Sequence, residues 1–392
     1  MLQMKYRYPL AGDTISKRDI DSLKIWLSNY PRLTMGELTR KFEIKWSKYI
    51  GTEYSIFVNS GSSANLLMVY LGILLGKFNQ GDKIIVPSCG WTTTISPVIQ
   101  FGLEPVMVDA NSYNYGVNID EVVELCEKGD IKGMIFVHPL GVPCDKNEML
   151  MLKNKYDLFL MEDCCASLCP EFSDGTKIGT IGDVSSFSFY FGHQLSTIEG
   201  GFVNTNNFEY HQKMLMLRSH GWTKDIEDAY LYDNYTKWNI NEINSPFNFI
   251  YSGFNIRPTD LQAYLGILQL KKADKIMNSR NRNHILYNEL MSKEFELQDY
   301  GKTWPVSLHI GILAKDSTVR EKIVKKCDEN SIETRVWSHG NLGRHYFWYK
   351  KYGIFRGKWS DEIYKRGFIV PTFPDLTKND IDFISSVCNS VH

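Results

Sequence analysis

Ser55-Ile-Phe-Val-Asn-Ser-Gly-Ser-Ser-Ala-Asn-Leu-Leu-Met-Val-Tyr-Leu-Gly-Ile-Leu-Leu75 changes character twice. Residues 55–58 form a short β-rich run, 59–63 are small and polar, and 66–76 are continuously apolar. The last run is too short to cross a bilayer and suits a buried helix. Strand, loop and helix in that order make one βα unit. The alternation then repeats. Further strands are expected at 83–86, 105–108, 133–137, 158–161, 184–189 and 201–204, with helices at 63–75, 94–101, 120–127 and 147–155. Such a pattern argues for an α/β domain with a largely parallel sheet covered on both faces, and ligands of such sheets gather at the carboxyl ends of the strands.

Working outward, residues 206–250 read as irregular and rich in Asn, Tyr and Trp, followed by a helix at about 258–270. From about 275 the order becomes helix 283–292, strand 306–312, helix 318–330 and strand 333–336. A second, smaller α+β unit is therefore expected. The division predicted is 1–274, a large domain with the N-terminal segment, and 275–392, a small C-terminal domain.

The 392 residues carry a net charge of −1, with 43% hydrophobic and 23% charged residues, which fits a globular chain and gives no global field for nucleic acid or an anionic membrane. The N-terminal residues 1–10 lack the apolar core of a signal peptide, so a cytoplasmic protein is expected. Eight cysteines include no Cys-x-x-Cys pair, and Cys164-Cys165-Ala-Ser-Leu-Cys169 matches no usual zinc or iron–sulfur spacing. Buried reduced thiols are expected, with no metal site.

Four segments carry candidate chemistry. The loop Asn59-Ser-Gly-Ser-Ser63 can turn helix N–H groups and the hydroxyls of Ser62 and Ser63 toward a phosphate, though a serine-capped helix without a ligand has the same signature. Trp91, in Val86-Pro-Ser-Cys-Gly-Trp91-Thr-Thr-Thr94, follows the next strand and can stack on a flat ring or simply fill a core. Leu160-Met-Glu-Asp-Cys-Cys165 puts Glu162 and Asp163 at a strand exit, where a carboxylate can keep a pyridinium nitrogen protonated or cap a helix. Ser185-Ser-Phe-Ser-Phe-Tyr-Phe-Gly-His193-Gln-Leu-Ser-Thr-Ile-Glu-Gly-Gly201 is an aromatic strand, a polar turn and a Glu-Gly-Gly. Its histidine is suited to taking and giving protons near neutral pH.

Taken together with Gly253-Phe-Asn-Ile-Arg-Pro258, these segments occur in the order that resembles the DegT/DnrJ/EryC1/StrS sugar aminotransferases over nearly the whole chain. The resemblance implies the type I, aspartate-aminotransferase-like fold that binds pyridoxal 5′-phosphate: a large α/β/α sandwich and a small C-terminal α+β domain. It implies that Asp163 pairs with the pyridine nitrogen, that Trp91 stacks on the ring, and that Ser62, Ser63 and Ser188 hold the phosphate. Asn255 would reach the cofactor of a second subunit, hence a homodimer with shared sites. His193 stands where this family carries its Schiff-base lysine. With Ser219-His-Gly-Trp-Thr223, that replacement is similar to the dehydratase branch of the group.

What the branch implies is removal of the C3′ hydroxyl from a nucleotide-linked 4-keto-6-deoxyhexose, with GDP as the expected nucleotide, on a route to 3,6-dideoxysugars. Glutamate would convert the cofactor to pyridoxamine 5′-phosphate, and His193 would act as the base. Arg257 and Arg335 are candidates for a carboxylate or the diphosphate, since guanidinium suits both anions, and each has a surface salt bridge as its plainer explanation. By the same resemblance His220 and the His339-Gly-Asn341 segment shape the sugar pocket. Ala166 departs from the family, which often has a polar side chain there near the cofactor O3′. A related branch adds a cysteine-held iron–sulfur cluster and a reductase; residues 206–254 contain no cysteine, so neither is expected. Two other readings are a 4-aminotransferase working without the lysine and a silent cofactor-binding regulator.

Overall fold

The alternation from residue 55 onward is realised as a seven-stranded sheet. In the computed structural model, residues 6–241, 243, 247–337 and 340–391 are described. The strands are β1 (Tyr54–Val58), β2 (Lys83–Pro87), β3 (Glu104–Val108), β4 (Ile131–Val137), β5 (Phe159–Asp163), β6 (Val184–Ser188) and β7 (Gly201–Thr205). Their order is β1-β7-β6-β5-β4-β2-β3. β7 runs antiparallel to β1 and β6, and the remaining neighbours are parallel. β1, β6, β5, β4, β2 and β3 therefore end on the same edge.

Each strand feeds the two faces of the sheet in turn, as the period of two requires. Ile56 and Val58 join one apolar cluster while Phe57 joins the other; Ile84 and Val86 face opposite to Ile85, and Phe159 and Met161 opposite to Leu160. Helices Gly61–Leu74 and Thr92–Gln100 cover the first cluster, and Glu37–Ile50 covers the second with Phe42 and Trp46. Burial on both faces is what makes these strands read as continuous apolar runs.

Two expectations are corrected. The stretch from 206, read as irregular, contains helix Phe208–Arg218, capped by Asn207. Consecutive Met214, Leu215, Met216 and Leu217 are all buried, so the helix shows no amphipathic period to read. The strand expected at 306–312 begins only at Ile310. Before that point Val306 and Leu308 donate their N–H groups to Gly141 and Leu140, both at 2.9 Å, outside any ladder of the second sheet.

That second sheet comprises β8 (Glu296–Leu297), β9 (Ile310–Leu313), β10 (Arg335–Val336) and β11 (Gly367–Val370), antiparallel in the order β10-β11-β9-β8. Helices Ser317–Glu329 and Lys378–Asn389 build its core with Ile312, Ile323, Phe368 and Ile384. The helix expected at 283–292 is the end of a longer one, Ala273–Leu290, whose first turn contains the 274/275 position. Tyr8 bridges to Ile332 and is buried in this C-terminal core. Among the described residues no helix is long and apolar enough to cross a membrane.

Candidate active site

The shared strand edge gathers the predicted residues. Asp163 is the last residue of β5 and is 3% exposed. Its Oδ2 accepts from Asn65 Nδ2 at 2.8 Å and Thr94 Oγ1 at 2.7 Å, and its Oδ1 accepts from the Cys165 N–H at 3.0 Å. Asn65 Oδ1 in turn accepts from Ser186 Oγ at 2.5 Å. The carboxylate is thus oriented by side chains from the helices after β1 and β2, with only a local turn contact of the capping kind. Neither Asn65 nor Thr94 had been singled out from the sequence. The signal was there: an asparagine leading an apolar helical run, and a threonine one turn into a helix that starts at a strand end.

Glu162 shows the opposite arrangement. Strand alternation sends it to the other face, fully buried, where it accepts from Gly179 N at 2.5 Å, Gly182 N at 3.1 Å and Ile181 N at 3.2 Å and meets His138 Nε2 at 3.0 Å. His138 Nδ1 accepts from Cys144 N at 2.9 Å. His138, Glu162 and Cys164 lie close enough to share a cation, but hydrogen bonds already occupy both imidazole nitrogens and both carboxylate oxygens. The cluster pins the 179–182 loop to β5.

The phosphate loop is resolved more finely than expected. Ser60, before the predicted pair, is the N-cap of helix Gly61–Leu74, accepting from Ser63 N at 3.1 Å. Ser62 remains exposed, its hydroxyl donating to Thr93 Oγ1 at 3.2 Å. Gly61 lies so close to the end of β6 that a Cβ there would be 2.6 Å from Ser188 Cβ and 2.8 Å from Cys165 Sγ. Ser188 itself is buried, and Trp91, 53% exposed, precedes helix Thr92–Gln100 at the end of β2.

His193 lies in the turn after β6, with its N–H on Tyr190 O at 3.0 Å. Its Nδ1 is buried without a hydrogen-bond partner. Burial first, and then the nearby Arg280 cation, lower its pKa from 6.5 to about 4, so the resting imidazole is neutral and can accept a proton. Gln194 anchors the turn, its Nε2 donating to Val306 O at 3.3 Å and Ala166 O at 3.5 Å.

His220, Asn255 and Arg257 are not joined to these groups. His220 is exposed at φ 64°, its N–H bonds to Phe254 O at 2.6 Å, Ser219 bridges to Asn255, and Arg257 Nε donates to Asn255 Oδ1 at 3.1 Å. Arg335 is exposed and pairs with Glu333 at 2.8 Å, the plainer of its two readings. Asn341 is buried and spent on a local cap, accepting from Gly343 N at 2.9 Å and donating to Asp361 at 2.7 Å. His339 lies outside the described residues.

A buried, oriented carboxylate at the end of β5, a serine-rich helix start after β1 and a tryptophan after β2 lie on one edge of the sheet, a set that fits a pyridoxal phosphate. The fold and this site define a pyridoxal-phosphate enzyme of the aspartate-aminotransferase type. The chain belongs to the DegT/DnrJ/EryC1/StrS aminotransferase family, whose profile matches residues 14–391. It is 32% identical over 350 residues to the GDP-4-keto-6-deoxy-D-mannose 3-dehydratase of Yersinia pseudotuberculosis, covering 87% of each chain. It is similar to the Escherichia coli GDP-4-keto-6-deoxy-D-mannose-3-dehydratase with bound hydrated pyridoxal phosphate, with a TM-score of 0.88, 26% identity, and 98% and 99% of the two chains covered. It also matches a structure of GDP-4-keto-6-deoxymannose-3-dehydratase with a trapped pyridoxal-phosphate–glutamate geminal diamine, at a TM-score of 0.87 and 25% identity over 97% and 100% of the chains.

Proposed function

We propose that this chain is a pyridoxal-phosphate-dependent 3-dehydratase that removes the C3′ hydroxyl of a nucleotide-linked 4-keto-6-deoxyhexose, with glutamate as amine donor. The observation that carries the reading is a neutral imidazole, His193, in the turn where a Schiff-base lysine belongs, beside an Asp163 held for a ring nitrogen. An imidazole accepts and donates protons but forms no imine. In its pyridoxamine form the cofactor supplies the amine that joins the C4′ ketone and an electron sink for the elimination. Asp163 keeps the pyridine nitrogen protonated, which deepens that sink. Asn65 and Thr94 fix the carboxylate, Trp91 covers the ring, and Ser62, Ser63 and Ser188 anchor the phosphate. With the cofactor bound, the neutral imidazole of His193 would accept a proton and, once protonated, donate one to the departing C3′ oxygen. Over the cycle the sugar loses one oxygen, glutamate becomes 2-oxoglutarate, and ammonia is released.

The exposed His220 and Asn255, with the half-buried Arg257 bonded to Asn255, support a homodimer in which these residues complete the partner's site, with Arg257 and Arg335 meeting the diphosphate or the glutamate carboxylate. GDP as the nucleotide, a cytoplasmic location and the division at 274/275 are parts of the same proposal. The test is mass spectrometry of GDP-4-keto-6-deoxymannose incubated with protein, pyridoxal phosphate and glutamate, without a reductase. Loss of one oxygen from the sugar with formation of ammonia and 2-oxoglutarate is expected; replacement of the ketone oxygen by an amine would establish an aminotransferase instead.

A further inference from the structure

Arg280, in helix Ala273–Leu290, is 1% exposed, and among the described residues it has no carboxylate partner. Its guanidinium is held only by backbone carbonyls: Nη1 donates to Ser307 O and Leu308 O at 3.0 Å and to Thr372 O at 3.4 Å, while Nε is buried and unbonded. Taking a cation out of water without a counter-charge is costly, and a leucine or methionine would fill the volume without that cost. Its surroundings give the charge a use. The two nearer carbonyls it grips belong to the 306–309 segment, the third to Thr372 after β11, and Val306 O is the acceptor that anchors Gln194, the residue after His193. The same segment is tied to the end of β4 through the Val306 and Leu308 N–H bonds to Gly141 and Leu140. His309 follows directly, with a second buried, unbonded Nδ1.

We propose that Arg280 is a positioning residue for His193: it clamps the 306–309 segment against the turn that carries the base, and it places a fixed positive charge beside that imidazole.

The charge matters because it opposes protonation of its neighbours. The groups acting around His193 are Arg280 from its helix, His309 from the segment before β9, and the ring of Tyr190, edge-on at 6.2 Å. Burial is the larger cause of the His193 depression and Arg280 the second; His309 is lowered to about 3 by burial, Arg280, His193 and Arg335, in that order. A base in contact with bulk water would be partly protonated at mildly acidic pH and idle. Burial first and Arg280 after it favour the unprotonated imidazole of His193 until the reaction delivers a proton to it. Arg280 also makes the protonated form a stronger acid toward the leaving oxygen.

This rests on His193 being the base, so the test reads its ionisation separately from turnover. The imidazole signals of the holoenzyme, with His193 assigned by their loss in His193→Asn, are titrated by NMR in the native protein, in Arg280→Lys and in Arg280→Met. The native midpoint should lie well below the ordinary 6.5. Arg280→Met should raise it by at least about half a pH unit, and Arg280→Lys, which keeps the charge, should leave it near the native value. The acid limb of kcat/KM should move with it. A native midpoint near 6.5, an unmoved midpoint in Arg280→Met, or a Lys variant that behaves like the Met variant overturns the proposal. The first of these needs no variant, so misfolding of Arg280→Met leaves it decisive. If the midpoint moves while the acid limb does not, the charge effect stands and the assignment of His193 as the base falls.

Discussion

The two halves of the candidate site are built in opposite ways. Asp163, Ser188 and Gln194, the anchor of the His193 turn, are buried, with Asp163 bonded to two helices and Gln194 to the segment before β9. His220 and Asn255 are exposed and Arg257 half-buried, with Arg257 donating to Asn255 and the His220 N–H bonded to Phe254 O. One half is finished within the chain; the other has its backbone fixed and its side chains turned outward. On the function proposed above, the inner half would supply the chemistry and the outer half a surface for a second copy of the chain. Each expected outcome below either breaks that division or sharpens it.

The largest effect belongs to the inner half. His193→Asn should lower dehydration by about a hundred- to ten-thousandfold, the range for a lost general base. Its melting temperature should stay close to native, because Nδ1 has no hydrogen bond to lose. Comparable losses of activity and of stability would mean that His193 is structural. Next comes Asp163→Asn. A charge-assisted bond contributes about 1.5–3 kcal/mol, so activity should fall about ten- to hundredfold, with weaker retention of the cofactor absorbance.

Asn255→Ala sits in the outer half and should weaken cofactor affinity about two- to tenfold, the worth of one neutral hydrogen bond. The sharper experiment mixes it with His193→Asn. If Asn255 serves the other subunit, mixed dimers contain one site with both defects and one with neither, and activity exceeds the average of the two parents. Simple averaging would put Asn255 in its own chain's site. Asn65→Ala, which frees one Asp163 oxygen from a single bond, should cost about 1 kcal/mol in activity or stability.

A last expected outcome concerns stability against pH and does not involve turnover. His193, His211 and His284 are lowered to about 4 and His309 to about 3, each chiefly by burial, against 6.5 when unfolded. Between those values the unfolded chain binds more protons, so stability rises with pH across that window and falls on acidification. A melting temperature that is flat from pH 6.5 down to 4.5 would contradict the burial of these imidazoles.

The same division governs what could be read without coordinates. The large sheet was legible because parallel strands buried on both faces produce unbroken apolar runs, and the strand-end motifs at Ser62, Trp91, Asp163 and His193 carry local signatures. Asn65 and Thr94 went unread because their role depends on two helices converging on one carboxylate. Arg280 and His309 went unread for a related reason: a basic residue in a helix and a histidine before a strand look ordinary until the segment 306–309 is seen against Gly141 and Gln194. The strand assigned to 306–312 failed at its first half because those N–H groups are spent on the large sheet's loop, a long-range pairing that local pattern cannot express.

The turn at His193 has one more consequence, and it concerns mass action. An enzyme with a lysine there keeps its cofactor as a covalent part of itself; with His193 in that place, as proposed, the chain would hold it by reversible contacts. Resistance to unfolding would then rise with the free cofactor concentration by RT ln(1 + [L]/Kd). The cofactor would then behave as a third exchanging substrate, and its free concentration would set how firmly the chain stays folded.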